Sequence, residues 1–371
     1  MEYSNREDYI KAIKALSPNK IYIVGAGRNG EVLGEYFDKQ GIAWEGYVDK
    51  RTFQHTINGK SVQRYKDLNP QEGRYIISSY SYRMELLHEL NQIGVCSNHI
   101  IMYDNHDIFF ELYNELINWK EYTNKIKKFH NLHKKKRCFI IGNGPSLKIG
   151  DLEKLNEEIT FASNSIHVLY KSTTWRPTYY CANDKIFCDK MMSDKENMYM
   201  LMDGCKAVFT SILGAGFRYR SDVDMDRLHF VQLVESSIKS PFLCFSTDCS
   251  EQIYLGGTVT YVMLQLAAYM GVEQIYLLGM DFNYSVEQHK DGTIVTNQVC
   301  NHMEEIEAEH KVFDELIKSR YGVPYLADVD LQLAAFQTAK KYADEHNIKI
   351  YNATRGGKLE VFERVEFDSL F

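Results

Sequence analysis

The sequence predicts an α/β protein built as two Rossmann-like parallel-sheet domains in series, joined by a helical linker. Three observations predict it. An apolar run breaks into a glycine turn twice, at "IYIVGAGRNG" (21–30) and "CFIIGNGPSL" (138–147). Each is the opening of a unit in which a buried strand turns into a helix. After both openings, short apolar runs alternate with helical periodicities, as in a parallel sheet with crossover helices. The chain also has 371 residues, too many for one ordinary core and enough for about two domains.

The first domain is expected over 1–105. Val32, Leu33, Tyr36 and Phe37 follow the glycines at helical spacing. "AWEGYVDK" reads as the next strand, with Asp49 at its end, and "GRYIISSYS", "RMELLHELNQIG" and "NHIIMYD" as strand, helix and strand. Residues 106–136 contain neither Gly nor Pro, and Phe109, Leu112, Leu116, Trp119 and Tyr122 form one apolar stripe. This predicts an amphipathic linker helix. It ends in the basic run Lys134 to Arg137, which reads as a solvated linker end and also suits an anionic surface. The second domain takes 137–371. Its strands are expected at 138–141, "EITFASN", "PTYYCAND", "AVFTS", "LHFVQLV", "QIYLLGMDF" and "IKIYNAT", with helices at 257–270, about 302–319 and 331–345.

Composition excludes several classes of function. Hydrophobic residues make up 44% and charged residues 25%, which is globular rather than disordered. A formal net charge of −7 argues against a nucleic-acid binder. The eight cysteines make no C-x-x-C pair and no zinc spacing, and the N-terminus is polar and charged. The expectation is free thiols in the cytoplasm. No apolar stretch approaches the ~20 residues that span a bilayer. Any membrane contact is expected to be peripheral, at the inner face, and oligomerisation stays open.

In the first glycine loop, Gly25, Gly27 and Gly30 satisfy G-x-G-x-x-G between a strand-like run and a helix, and Asp49 lies near the position of a ribose-binding carboxylate. Glycines let backbone approach a phosphate, and a helix N-terminus favours an anion. A nucleotide on this domain is one reading. The other is an accessory module that keeps the turn for packing. "GYVDKRTFQHTINGKSVQRYKDL" resembles the N-terminal nucleotide-binding modules of polysaccharide-modifying enzymes, in which the module is often accessory. No hydride-transfer apparatus is visible.

The second domain places small neutral hydrogen-bonding residues at successive strand ends: Asn143, Gly144 and Ser146, then Asn164 and Ser165, then Asn183, then Gly257 and Thr258, then Gly279. Ligands bind along that edge of open α/β sheets. Asn and Ser can read a base or ribose, and glycine turns can offer N–H groups to phosphate. Asp184 and Asp281 are the carboxylates placed to hold Mg²⁺ between phosphate oxygens. Each Asp or Asn alone also reads as a turn or helix cap.

The motifs "IIGNGPSL", "TFASNSIHVLY", "RPTYYCAND", "LGGTVTYVMLQLAAYMGVEQIYLLGMDF" and "IYNATRGGKLEVFERVEFDSLF" together resemble the MptE-like family. That family is named after archaeal 6-hydroxymethylpterin diphosphokinase and includes motility-associated flagellin glycosyltransferases. The early and middle motifs are also similar to small bacterial CMP-sialic-acid-dependent sialyltransferases. The resemblance covers roughly 138–371. It implies nucleotide contacts at Asn143, Gly144, Ser146, Asn164, Ser165, Asn183, Thr258, Gly279 and Asp281. The sialyltransferases use a histidine after the G-x-D strand as base and tyrosines for the departing phosphate. His289, His302 and His310 lie in that region, and His302 in "CNHMEE", at an expected helix start, is the favoured base. Asn283 stands where the tyrosine follows in the sialyltransferases, with Tyr284 one residue later, so phosphate assistance by Tyr284 departs from their pattern. The tail turn with Asn352, Thr354, Gly356 and Gly357 reads either as a cover over the ligand or as a staple.

Three functions follow as expectations. The first is an inverting glycosyltransferase that takes a nucleotide-activated, CMP-linked sugar and a glycan or glycoconjugate acceptor in bacterial surface polysaccharide or glycoprotein assembly. The second is an ATP-dependent diphosphokinase acting on a hydroxymethylpterin-like alcohol. The third is a non-enzymatic nucleotide or sugar sensor.

Overall fold

The computed structural model describes residues 1–50, 55–79, 82–104, 108, 111–112, 115–116, 124–184, 187–188, 195–211, 226–234, 243–284, 286–288, 294–296, 302–308, 311–312, 315 and 327–371. The chain divides into two compact units, Met1–Trp119 and Lys120–Phe371. Each is α/β. The division falls within the segment expected as a linker. Its described residues Ile108, Glu111, Leu112, Glu115 and Leu116 are helical, as are 124–127. Phe109, Trp119 and Tyr122 lie outside the described residues.

In the first unit the strands are β1 (Glu2–Tyr3), β2 (Lys20–Val24), β3 (Gly46–Val48), β4 (Thr56–Ile57), β5 (Lys60–Gln63), β6 (Gly73–Ile77) and β7 (Ile100–Tyr103). Their order is β1-β7-β6-β2-β3-β5-β4, parallel throughout except for β4 and β5. The β4–β5 hairpin was not expected from the sequence. It turns on Asn58 and Gly59, with φ of 50° and 77°, the two-residue Asn-Gly turn whose twist matches the strands it joins. The edge strand β1 and the helix Arg6–Lys14 were also not expected. Asn5 caps that helix, accepting from the Asp8 amide at 2.9 Å.

The second unit carries β8 (Arg137–Ile141), β9 (Ile159–Ser163), β10 (Tyr179–Ala182), β11 (Ala207–Ser211), β12 (Leu228–Val231), β13 (Leu233–Val234), β14 (Ile253–Tyr254), β15 (Gln274–Leu278), β16 (Val286–Gln288), β17 (Ile294–Thr296), β18 (Lys349–Asn352) and β19 (Glu363–Arg364). Eight of them form one parallel sheet, ordered β12-β11-β10-β9-β8-β15-β18-β19. "LHFVQLV" divides between two sheets, because β13 leaves the main sheet to pair with β14. "QIYLLGMDF" is strand only through Leu278, and its last four residues leave the sheet, with φ of 68° at Gly279 and 53° at Phe282. The helix Val259–Tyr269 is apolar on nearly every side and packs on β8, β9 and β10. Thr258 caps it, accepting from the Thr260 amide at 3.3 Å.

The first strand of this sheet, β8, has β9 on one side and β15 on the other. The winding reverses there. A crevice at the carboxyl ends of β8, β9 and β15 is therefore the place this topology leaves for a ligand.

Candidate functional site

The turns that leave β8 and β15 close on each other. Gly142 N–H donates to Leu278 O at 2.8 Å, and Gly144 N–H to Gly279 O at 2.9 Å. Asp281 Oδ2 accepts from Ser146 Oγ at 2.8 Å and from the Ser146 amide at 3.3 Å. The glycine at 144 is required by that approach, since a Cβ there would lie 2.0 Å from Asp281 Oδ2 and 2.6 Å from Gly279 O. This corrects the expectation that the turn offers its amides to phosphate. The Gly142, Gly144 and Ser146 amides are engaged with the neighbouring turn, and the glycines serve the contact between two loops.

The tail joins the same knot. Lys358 N–H donates to Asp281 O at 2.7 Å, and Met280 N–H to Thr354 Oγ1 at 3.0 Å. Asn352 is buried with both amide atoms engaged, donating to Leu359 O at 2.8 Å and accepting from the Thr354 amide at 3.0 Å. Of the two readings of this tail turn, these bonds describe the staple.

Three asparagines behave differently. At the end of β8, Asn143 donates Nδ2 to Ser163 O at 3.2 Å, while its buried Oδ1 has no partner among the described residues. After β9, Asn164 takes φ of 50°, a left-handed backbone few non-glycine residues adopt, and its buried Oδ1 also lacks a partner. After β10, Asn183 is 7% exposed, and neither its Oδ1 nor its Nδ2 has a partner among the described residues. Buried polar atoms in native proteins are almost always hydrogen-bonded. The four amide atoms without a partner among the described residues lie at the ends of three adjacent strands, along the edge at which open α/β sheets bind ligands. Ser165 is buried beside Asn164. His167, which the sequence reading passed over, sets Nδ1 3.1 Å from Asn164 O.

His302 belongs to a segment hung on the same turn. Met303 N–H donates to Asn143 O at 2.8 Å, and a helical turn runs over 304–308. Ile306 is fully buried in the apolar cluster that holds Ile141, Leu147 and Leu278, and this seats the turn. His302 Nδ1 lies 3.5 Å from Glu307 Oε2. His289 and His310 lie outside the described residues.

Tyr284 is 38% exposed overall, with its ring edge-on to Phe282. Desolvation around the hydroxyl nonetheless raises its pKa above the ordinary tyrosine value, and a hydrogen bond with Gln332 acts the other way. Gln332 donates to Gly257 O at 3.2 Å, in the glycine turn ahead of Thr258. The phenol stays protonated near neutral pH and can donate to an anionic oxygen.

Of the two carboxylates expected at a magnesium ion, Asp184 accepts from the Phe187 amide through Oδ1 at 2.8 Å, and Asp281 accepts from Ser146 through Oδ2. Among the described residues no group of three His, Cys, Asp or Glu side chains could hold a metal ion. The seven described cysteines are free thiols. Among the described residues no helix is long and apolar enough to cross a membrane.

The first unit's loop shows the same economy. Gly25 N–H donates to Val48 O, and Ala26 N–H to Asp49 Oδ2, both at 2.8 Å. Gly30 lies so close to the loop that a Cβ would meet Gly25 O at 2.0 Å. Asp49 thus closes the loop, while Gly27 opens the helix Arg28–Lys39 with no side-chain cap.

The second unit thus sets these polar groups along the carboxyl edge of its parallel sheet, the edge at which open α/β sheets bind ligands. Residues 112–287 match the family model described as 6-hydroxymethylpterin diphosphokinase MptE-like, as the motifs indicated. His302 and the tail lie beyond the matched residues. No protein of curated function matches the chain. Among solved structures, the MAf glycosyltransferase from Magnetospirillum magneticum AMB-1 is similar at 13% identity with a TM-score of 0.36, over 98% of this chain and 62% of that one. The chain therefore spans less than two thirds of the length of that protein. The sialyltransferase CstII from Campylobacter jejuni, in complex with cytidine-5'-monophosphate, is similar at 17% identity over 62% of this chain and 85% of its own, with a TM-score of 0.36. The α-2,3-sialyltransferase Cst-I from the same organism is similar at 16% identity over 62% and 79%, with a TM-score of 0.33.

Proposed function

We propose that the second unit is an inverting glycosyltransferase that takes a CMP-linked sugar and passes it to a glycan or glycoconjugate acceptor in surface polysaccharide or glycoprotein assembly. The observation that carries this reading is the row of orphan amide atoms on Asn143, Asn164 and Asn183, with the His302 segment hydrogen-bonded to the same turn. A primary amide offers a donor and an acceptor side by side, which complements the edge of a cytosine. The choice of CMP among nucleotides follows the motif resemblance.

In this mechanism the acceptor hydroxyl gives its proton to Nε2 of His302 as its oxygen bonds to the anomeric carbon. The bond from that carbon to the phosphate oxygen breaks, and CMP leaves with the electron pair. Attack opposite the leaving phosphate inverts the centre. A positioned base supplies typically 10²–10⁴-fold. The Tyr284 hydroxyl donates to the departing phosphate.

Two measurements test the reading. CMP should raise the melting temperature more than AMP or UMP, and CMP-N-acetylneuraminate should release CMP in a reaction that His302→Ala slows. Absence of any CMP-dependent shift ends it. The family's own description favours a second reading, diphosphoryl transfer from ATP to a hydroxymethylpterin alcohol. AMP release from ATP and Mg²⁺, dependent on hydroxymethyl-dihydropterin, would establish that reading instead.

A further inference from the structure

We propose that Glu307 is the positioning residue of His302, and that its carboxylate holds the imidazole as the Nδ1–H tautomer with Nε2 turned to the acceptor. This rests on the reading of His302 as the base. Four observations converge on it.

The main chain fixes the segment from one side, through the bond from Met303 N–H to Asn143 O at 2.8 Å. The core fixes it from below, through the fully buried Ile306. Ile306 and Glu307 both donate their amides to Met303 O at 2.9 Å, so the turn starts directly after His302. Helical side chains lean toward the helix N-terminus, and Glu307 accordingly reaches back over that turn to the histidine.

The carboxylate itself supplies the fourth observation. Both side chains are mostly covered, at 22% and 25% exposure, and Oε2 of Glu307 is the oxygen 3.5 Å from His302 Nδ1. That oxygen is buried and has no hydrogen-bond partner among the described residues. A buried carboxylate oxygen needs a donor. The imidazole N–H is the donor that this geometry brings to it. When Nδ1 carries the proton, Nε2 has a free lone pair, the form a general base needs. As Nε2 takes the acceptor's proton, the carboxylate also stabilises the imidazolium that forms. The same logic has a hydrogen-bonded acid orient the base of a catalytic triad. Glu307 touches neither substrate nor the reacting atoms. It acts through His302.

The test uses the full chain with Glu307→Gln, Glu307→Ala and His302→Ala. Two readouts are taken: CMP release from CMP-N-acetylneuraminate, and ¹⁵N NMR of labelled histidine at pH 8, with His302 assigned by its loss in His302→Ala. The CMP thermal shift reports folding and donor binding. Wild type should show the Nδ1–H tautomer. Glu307→Gln, which still accepts from Nδ1–H, should keep it, and Glu307→Ala should lose it. Glu307→Ala should lower kcat by about 10–100-fold, the usual scale for a residue that orients a catalytic ligand, with KM and the CMP shift unchanged. Glu307→Gln should retain more activity than Glu307→Ala.

If Glu307→Ala keeps both the tautomer and kcat within about twofold while His302→Ala is inactive, the positioning role is wrong and the base reading stands. If His302→Ala releases CMP at the wild-type rate, the base reading fails. The tautomer then decides independently whether Glu307 holds the ring, and it decides alone if wild type does not turn over this donor.

Discussion

Asn183→Leu should stabilise the ligand-free protein and impair nucleotide binding, a pairing that few core substitutions produce. Asn183 is 7% exposed and both its amide atoms lack partners among the described residues. A buried polar group left unsatisfied costs about 1–3 kcal/mol. Leucine has nearly the same shape and nothing to satisfy, so the change removes two such costs and adds apolar contact at the end of β10. Allowing for imperfect repacking, the net gain is about 2 kcal/mol, or roughly 4–8 °C in Tm for a domain of this size. In the proposed nucleotide complex the variant forgoes the two hydrogen bonds assigned to the Asn183 amide, which should weaken binding by about 10–100-fold. Calorimetric melts with and without saturating CMP measure both effects. A lower Tm in the ligand-free variant, with the CMP shift intact, would show that the amide is a structural group and that the row of orphan atoms does not mark a site.

Three further outcomes follow. Gly144→Ala should cost about 3 kcal/mol, through overpacking and loss of the Ser146–Asp281 bonds, because its Cβ would sit 2.0 Å from Asp281 Oδ2; a urea melt indistinguishable from wild type would refute the knot between the two turns. His229, 1% exposed against Phe129 and Phe209, has its pKa lowered to about 3, by desolvation first and then by Lys128 and Lys125. The unfolded chain takes up this proton near pH 6.5 and the folded chain only near 3, so stability is full above about 6.5 and falls with pH by about 1.4 kcal/mol per unit until about 3. Urea melts at pH 7 and pH 5 should therefore differ by about 2 kcal/mol more in wild type than in His229→Phe, and equal differences would contradict the buried neutral ring. Tyr284→Phe should lower kcat for CMP release by about 10–100-fold with the CMP shift unchanged, and an unchanged kcat would remove Tyr284 from the mechanism.

The fold was largely legible because buried parallel strands are short apolar runs: β9, β10, β11, β15 and β18 lie inside the segments expected as strands, and β8 starts one residue ahead of its segment. What escaped was short or set by distant partners. The β4–β5 hairpin rests on an Asn-Gly turn between strands too brief to show alternation. β13 is continuous in sequence with β12, and only its pairing with β14, about twenty residues on, takes it into another sheet. Glu307 was invisible for a related reason. Five residues from His302 is no helical period, and the contact arises because Met303 and Ile306 dock on a turn more than 150 residues earlier in the chain.

The sequence treated the strand-end residues as equivalent ligand contacts, and hydrogen-bond accounting separates them into two kinds. Around β15 the polar groups are consumed. Ser146 and Asp281 bind each other, Thr354 holds the Met280 amide, and Gly144 donates to Gly279 O. Along β8, β9 and β10 the amide atoms are left open. Each open atom carries a cost that folding alone does not recover, whereas each consumed one stabilises the knot without a ligand. In the proposed enzyme this assigns the β15 side to building the crevice wall and the β8–β10 side to reading the nucleotide. It also explains why Asp281, the most motif-like carboxylate in the chain, is better understood as the clamp on the Gly144 turn than as a group that touches the reacting atoms. Asp281→Asn separates these roles. Asparagine oriented with its carbonyl toward Ser146 Oγ keeps the clamp, so the variant should retain the CMP shift and most of kcat. A catalytic carboxylate would lose on the order of 10²-fold or more.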